Sequence, residues 1–262
     1  MNATTVNDED RATTGVPGLD AMLNGGFLRQ TANLIEGAPG CGKSTLGMQF
    51  IYEGARRGEP GIILTFEEFP EHYYRDAAAF GWDFHALERQ NLLKIIMSSP
   101  EVTTADLEHI DGTIQNTIAS INAQRMLVDS VTHFERLSQD AVILRQLMFS
   151  FLNALKRHNL TTLLTRETAY LIGDEVEDQA DSSIHFLVDT CVLLRYVEIE
   201  SAIRRAIIVM KMRGSAHENA ICQFEIDGEG LKVLKPFAGQ EGLMSGTPKR
   251  MADSFIKAFV RR

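Results

Sequence analysis

"GAPGCGKST", residues 37–45, lies between an apolar run, "TANLIEG" (31–37), and a helix-like segment, "GMQFIYEGARR" (47–57). Its spacing fits G-x-x-x-x-G-K-[ST] through Gly37, Gly42, Lys43 and Ser44. A strand before this spacing and a helix after it are the context that makes it a phosphate-binding loop. Gly37, Gly40 and Gly42 allow a tight turn, so that successive N–H groups converge on a phosphate beside the positive end of the next helix. Gly37, Ala38, Pro39, Gly40, Cys41, Gly42, Lys43, Ser44 and Thr45 are therefore expected to hold a nucleotide's phosphates. Within the loop, Lys43 neutralises the β and γ oxygens and the Ser44 hydroxyl ligates Mg²⁺.

Outward from the loop, short β-rich runs alternate with longer helical patterns. "GIILTF" (61–66) precedes a helical "EHYYRDAAAF" (71–80), and "LLKIIM" (92–97) precedes one continuous helical pattern, "TADLEHIDGTIQNTIASINA" (104–123). The buried strand "RMLVD" (125–129) is followed by a helix over 140–159 and a strand "LTTLLT" (160–165). Along that helix Ile143, Leu144, Leu147, Phe151, Leu152 and Leu155 recur at helical spacing and are expected in the core. The alternation predicts an α/β fold of the P-loop NTPase kind, a mainly parallel sheet flanked by helices on both faces. After an acidic, turn-rich break, "YLIGDEVEDQAD" (170–181), the β runs of 190–214 and 220–236 are separated by short polar turns. They predict an antiparallel extension of the same sheet. Residues 1–13 are polar and aperiodic and are expected to be a flexible tail, 14–238 the ATPase domain, and 239–262 a C-terminal tail ending in a short helix.

Of the 262 residues, 44% are hydrophobic, enough to bury a full core. No apolar run reaches the roughly 18 to 20 residues of a membrane span, and the N-terminus has no secretion-signal pattern. A cytoplasmic protein is the expectation. The three cysteines lack metal-ligand spacing and read as reduced thiols. The formal net charge of -9 opposes long-range attraction to nucleic acid or membrane.

A bound Mg·NTP also needs an acidic group at a neighbouring strand end, and Asp129, closing "RMLVD", fills that place. Hydrolysis needs a carboxylate to orient or deprotonate water. Glu67 and Glu68 directly follow the strand "GIILTF". Adjacent carboxylates point in different directions, so one faces the water and the other a partner or the metal. Ser44, Asp129 and Glu67 form the expected metal set, and Glu67, Glu68 and Lys43 the expected catalytic set.

The strand, "GAPGCGKST", "TFEE" (65–68) and "MLVDS" (126–130), in this order, resemble the RecA-like ATPases. "FGWDFHALERQNLLKI" (80–95), "DTCVLLRYVEIE" (189–200), "RRAIIVMKMRGSAH" (204–217) and "GLMSGTPKR" (242–250) are similar to the second domain of the KaiC family, whose members carry two such domains. The resemblance implies a homo-oligomer, a hexameric ring with ATP at each subunit interface, acting as a regulatory protein with a protein partner the residues do not identify. On that template Lys211 and Arg213 of "KMRGSAH" reach the neighbouring subunit's nucleotide, with His217 and Arg205 beside them, and Phe80 packs on the adenine.

The family's second domain phosphorylates itself on an adjacent serine and threonine, and His185 and Phe186 stand at those positions in "ADSSIHFLVDT" (180–190). Neither offers an aliphatic hydroxyl. Both are expected to fill the subunit interface instead, and only Ser182 and Ser183 keep a serine/threonine autokinase alternative open. A DNA-associated RecA-like ATPase is a further alternative. It needs basic channel loops, and the candidate loop at 170–181 is acidic.

Overall fold

The computed structural model describes residues 10–108, 112–168, 183–199, 201–237 and two short strands at 240–241 and 249–250. β1 (Arg11–Ala12) pairs with β2 (Phe27–Leu28), with α1 (Leu19–Met22) between them. β3 (Ala32–Gly37) runs through the glycine-rich loop into α2 (Lys43–Arg56). There follow β4 (Gly61–Thr65), α3 (Pro70–Ala79), α4 (Phe84–Arg89), β5 (Leu93–Met97), α5 (Pro100–Glu108) and α6 (Thr113–Ile121). β6 (Arg125–Asp129) continues into a 3-10 turn (Val131–Arg136), α7 (Ala141–Arg157), β7 (Thr161–Glu167) and α8 (Ser183–Leu187). The chain closes with β8 (Thr190–Ile199), β9 (Ala202–Met212), β10 (Cys222–Asp227), β11 (Gly230–Pro236), β12 (Gln240–Glu241) and β13 (Lys249–Arg250).

The main sheet has nine strands in the order β11-β10-β9-β8-β3-β7-β6-β4-β5. From β8 to β5 every pairing is parallel, and from β8 to β11 every pairing is antiparallel. The expected extension is thus present. The inner strands are apolar on both sides because helices cover both faces. Successive side chains alternate between two core clusters: Ile35, Ile63, Leu127, Leu163 and Leu194 face one, Leu34, Ile62, Met126, Leu164 and Leu193 the other. α2 seals the first face with Leu46, Phe50 and Ile51. α6 and α7 seal the second with Ile118, Ile121, Phe151, Leu152 and Leu155. Among the described residues no helix is long and apolar enough to cross a membrane.

Three expectations are corrected. Of the expected tail, residues 10–13 belong to the fold: Ala12 is fully buried and Arg11 donates to the carbonyls of Leu23 and Gly26 and to Ser215 Oγ. That arginine satisfies a turn's carbonyls from within, which a polar composition does not reveal. The continuous helix over 104–123 is two helices. Asp106, in the last turns of α5, accepts from the N–H groups of Thr113 and Ile114, at 2.7 Å each, and so satisfies the start of α6 from the preceding helix. On α7 the inward stripe holds for Phe151, Leu152 and Leu155, whereas Ile143 is 46% exposed. Residues 1–9, the acidic break at 170–181 and the expected terminal helix lie outside the described residues.

Candidate functional site

The loop, Asp129, the paired glutamates and Glu167 all lie at the carboxyl ends of parallel strands, where open α/β sheets bind ligands. Register brings them together: Gly37 pairs with Glu167 and Thr65 with Asp129. Gly42 caps α2 with φ 106, and a Cβ there would come within 2.6 Å of Ile226 Cδ1. At Gly37 a Cβ would sit 2.4 Å from the Leu194 carbonyl oxygen, while one at Gly40 would meet the Tyr196 hydroxyl at 3.3 Å. Only glycine fits the first two places, so β8 and β10 press on the loop from the side. Lys43 is 6% exposed; its ammonium donates to the Ala38 carbonyl at 3.0 Å and stands 3.7 Å from a Glu167 carboxylate oxygen. Cys41 is buried beneath the loop, and burial pushes its thiol pKa up, which leaves it an inert packing group.

A cavity of about 300 Å³ opens beside α2, lined by Ser44, Glu68, His72, Tyr73 and Asp129 among others. Asp129 is held at both oxygens, by the Thr165 hydroxyl and by the Tyr73 hydroxyl at 2.9 Å. Burial and the adjoining Asp129 charge push the Tyr73 phenol well above its ordinary range, so it remains a donor. The Thr65 hydroxyl closes the turn after β4, accepting from the Glu68 N–H at 3.1 Å and donating to the Glu68 carbonyl at 3.0 Å. That turn separates the two carboxylates. Glu68 joins Ser44 and Asp129 on the cavity and pairs with His72; Glu67 is not among the cavity's lining residues, is 68% exposed, and meets His133 Nε2 at 3.1 Å. Of the two, Glu68 shares the cavity with Ser44 and Asp129, and Glu67, expected in the metal set, does not.

The donor set suits Mg²⁺. Among the described residues no three His, Cys, Asp or Glu side chains cluster into an all-protein metal cage. One hydroxyl and one or two carboxylates are what Mg²⁺ takes from protein when phosphates and water complete its octahedron. Phe80 ends α3 half-buried, its ring 4.8 Å from Trp82, which in turn stacks on Tyr52. It does not line the cavity.

A second cluster surrounds Glu36, the residue before the loop. Its carboxylate is 2% exposed, receives a hydrogen bond from His185 Nε2 at 2.7 Å, and lies 3.2 Å from Arg166 and 3.9 Å from Arg195. Burial alone would raise its pKa, but the His185 hydrogen bond and the Arg166 charge hold it below the ordinary carboxylate range. His185 is thus turned inward on a buried anion, while Phe186 is 61% exposed in the single chain. Ser182 and the Ser183 side chain lie outside the described residues. Incubation with labelled ATP is expected to leave His185 unmodified, Phe186 having no atom that can accept a phosphoryl group; stoichiometric phosphate at His185, found by mass spectrometry, would contradict this reading.

Lys211 donates to the carbonyls of His185 and, at 2.8 Å, Val188; Arg213 donates to the Phe186 carbonyl at 2.7 Å. Together they close the C-terminal end of α8, where cations are favoured. Burial, then the neighbouring Arg213 charge, push the Lys211 pKa down. The Arg205 guanidinium lies 5.8 Å from the Tyr196 ring, and Arg205 Nε and His217 Nε2 are buried with no hydrogen-bond partner among the described residues.

Sequence reasoning missed Tyr73, Thr165, Glu36, Arg166, Glu167 and His133. Two of these had a signal. Glu36 and Arg166 are charges inside the apolar strands "LIEG" and "LLTRE", and buried charges must be paired. They face each other in register on β3 and β7. The hydroxyls of Tyr73 and Thr165 had no comparable mark.

The family model "ATPase: KaiC" matches residues 12–237. The chain is 34% identical over 247 residues to the circadian clock protein KaiC3 of Synechocystis, covering 94% of this chain and 48% of that protein. It is 35% identical over 253 residues to the circadian clock oscillator protein KaiC of Thermosynechococcus vestitus, covering 96% and 48% respectively. With KaiC of Prochlorococcus marinus the figures are 34% over 254 residues, 97% and 50%. The chain spans about half the length of the curated relatives it matches.

Proposed function

Because the chain belongs to the KaiC ATPase family, we propose that it binds Mg·ATP at the glycine-rich loop and hydrolyses it slowly within a homo-oligomeric ring, hexameric as the family resemblance implies. It acts in the cytoplasm as a regulatory protein whose nucleotide state a protein partner reads. The observation that carries this reading is the cavity shared by Ser44, Glu68 and Asp129 beside the buried Lys43.

Ser44 and Asp129 would hold Mg²⁺, with Glu68 next to them. The ion supplies charge neutralisation between the phosphate oxygens. Lys43 exchanges the Ala38 carbonyl for phosphate oxygens, a stronger, charge-assisted partner. Glu67, free of the cavity and exposed, orients water and takes its proton. Lys211 and Arg213 lie on the late antiparallel strands and their exit, and in a ring they serve the neighbouring subunit's nucleotide.

If neighbouring subunits complete the site, turnover per protomer with Mg²⁺ should fall steeply on dilution, together with the mass measured by light scattering. Undiminished turnover in a sample that scatters as a monomer would overturn the intersubunit site.

A further inference from the structure

Glu67 and Glu68 each carry a histidine, but the two pairs differ in kind. His72 and Glu68 are both about half exposed, four residues apart, a solvent-screened contact. His133 is only 14% exposed and comes from an element far along the chain. Its turn is pinned on either side: the Thr132 hydroxyl accepts from the Glu167 N–H at 2.9 Å, and Phe134, 1% exposed, packs on Phe66 and Phe151. The imidazole itself stands edge-on to the Phe66 ring, with centroids 6.3 Å apart. Glu67, by contrast, sits at a strand exit with nothing else fixing its carboxylate among the contacts described.

We propose that His133 is a positioning residue for hydrolysis: its Nε2–H donates to Glu67 Oε2 and leaves Oε1 as the oxygen presented to water. Either the neutral Nε2–H tautomer or the imidazolium makes this bond. A carboxylate with one oxygen tied to a rigid donor loses the rotamer freedom that would otherwise have to be frozen at each turnover. The inference rests on the proposed role of Glu67.

Two substitutions separate positioning from packing. H133F keeps a ring against Phe66 and removes the donor; H133Q keeps a donor and gives up the ring. Positioning predicts that H133F lowers kcat about tenfold with ATP affinity unchanged, and that H133Q retains most of the activity. An H133F variant as active as the parent, or an H133Q variant as slow as H133F, would overturn the proposal. E67Q, measured alongside, tests the underlying reading by itself. Full activity in E67Q removes the role of Glu67. A slow E67Q with the two His133 variants in the opposite order removes only the positioning.

Discussion

Replacing Lys43 by alanine is expected to abolish ATP binding. The ammonium is nearly enclosed, and its partners are the Ala38 carbonyl and, at 3.7 Å, Glu167. Around the phosphate position stand Asp129, Glu68 and Glu167. Without Lys43 the enclosed cation at the loop is lost, and the polyphosphate would meet these carboxylates with the loop N–H groups, the α2 dipole, Mg²⁺ and the cavity-lining Arg75 left to offset them. Removing one partner of a buried, charge-assisted contact costs about 2 to 5 kcal/mol or more, which is about thirtyfold in Kd and extends to several thousandfold. Among the described residues the ammonium's contacts are all to the loop and to Glu167, so the loss should be confined to the site. A titration with a fluorescent ATP analogue gives the answer directly, and an unchanged Kd would reject the loop as the nucleotide site.

Changing Glu67 and Glu68 together to glutamine should preserve ATP binding and slow turnover by about 10² or more, the usual consequence of losing a general base. The two contributions have different signatures. Glu68 shares its cavity with Ser44 and Asp129, so E68Q should raise the Mg²⁺ concentration needed for half-maximal turnover. Glu67 stands outside that cavity against His133, so E67Q should lower kcat at saturating Mg²⁺. Turnover in the double variant equal to the parent's would mean that some other group positions the water.

Much of this was legible because the signals were local. The loop spacing, the apolar strands and the polar turns are short-range patterns, and β3, β4 and β6 form where those patterns put them. What failed depended on side chains acting at a distance. Arg11 reaches carbonyls twelve and fifteen residues away, and Asp106 on α5 reaches the N–H groups, seven and eight residues on, that open α6. The division of labour between Glu67 and Glu68 was left open by the sequence, because it is decided by the Thr65 hydroxyl and by a histidine sixty-six residues on. Phe80 packs on Trp82 in the structure. Its expected place on an adenine rests on the family resemblance alone.

The glycines of the loop have a consequence beyond phosphate geometry. Leu194, Tyr196 and Ile226 lie within touching distance of the places where side chains at Gly37, Gly40 and Gly42 would be. The loop has no slack of its own. A bulkier residue on β8 or β10, far from any nucleotide in sequence, would tilt the loop rather than be absorbed, since close-packed interiors transmit strain. The tolerance of this fold to change is therefore set partly by its last strands, and a variant there can resemble a lesion of the loop itself while lying outside it.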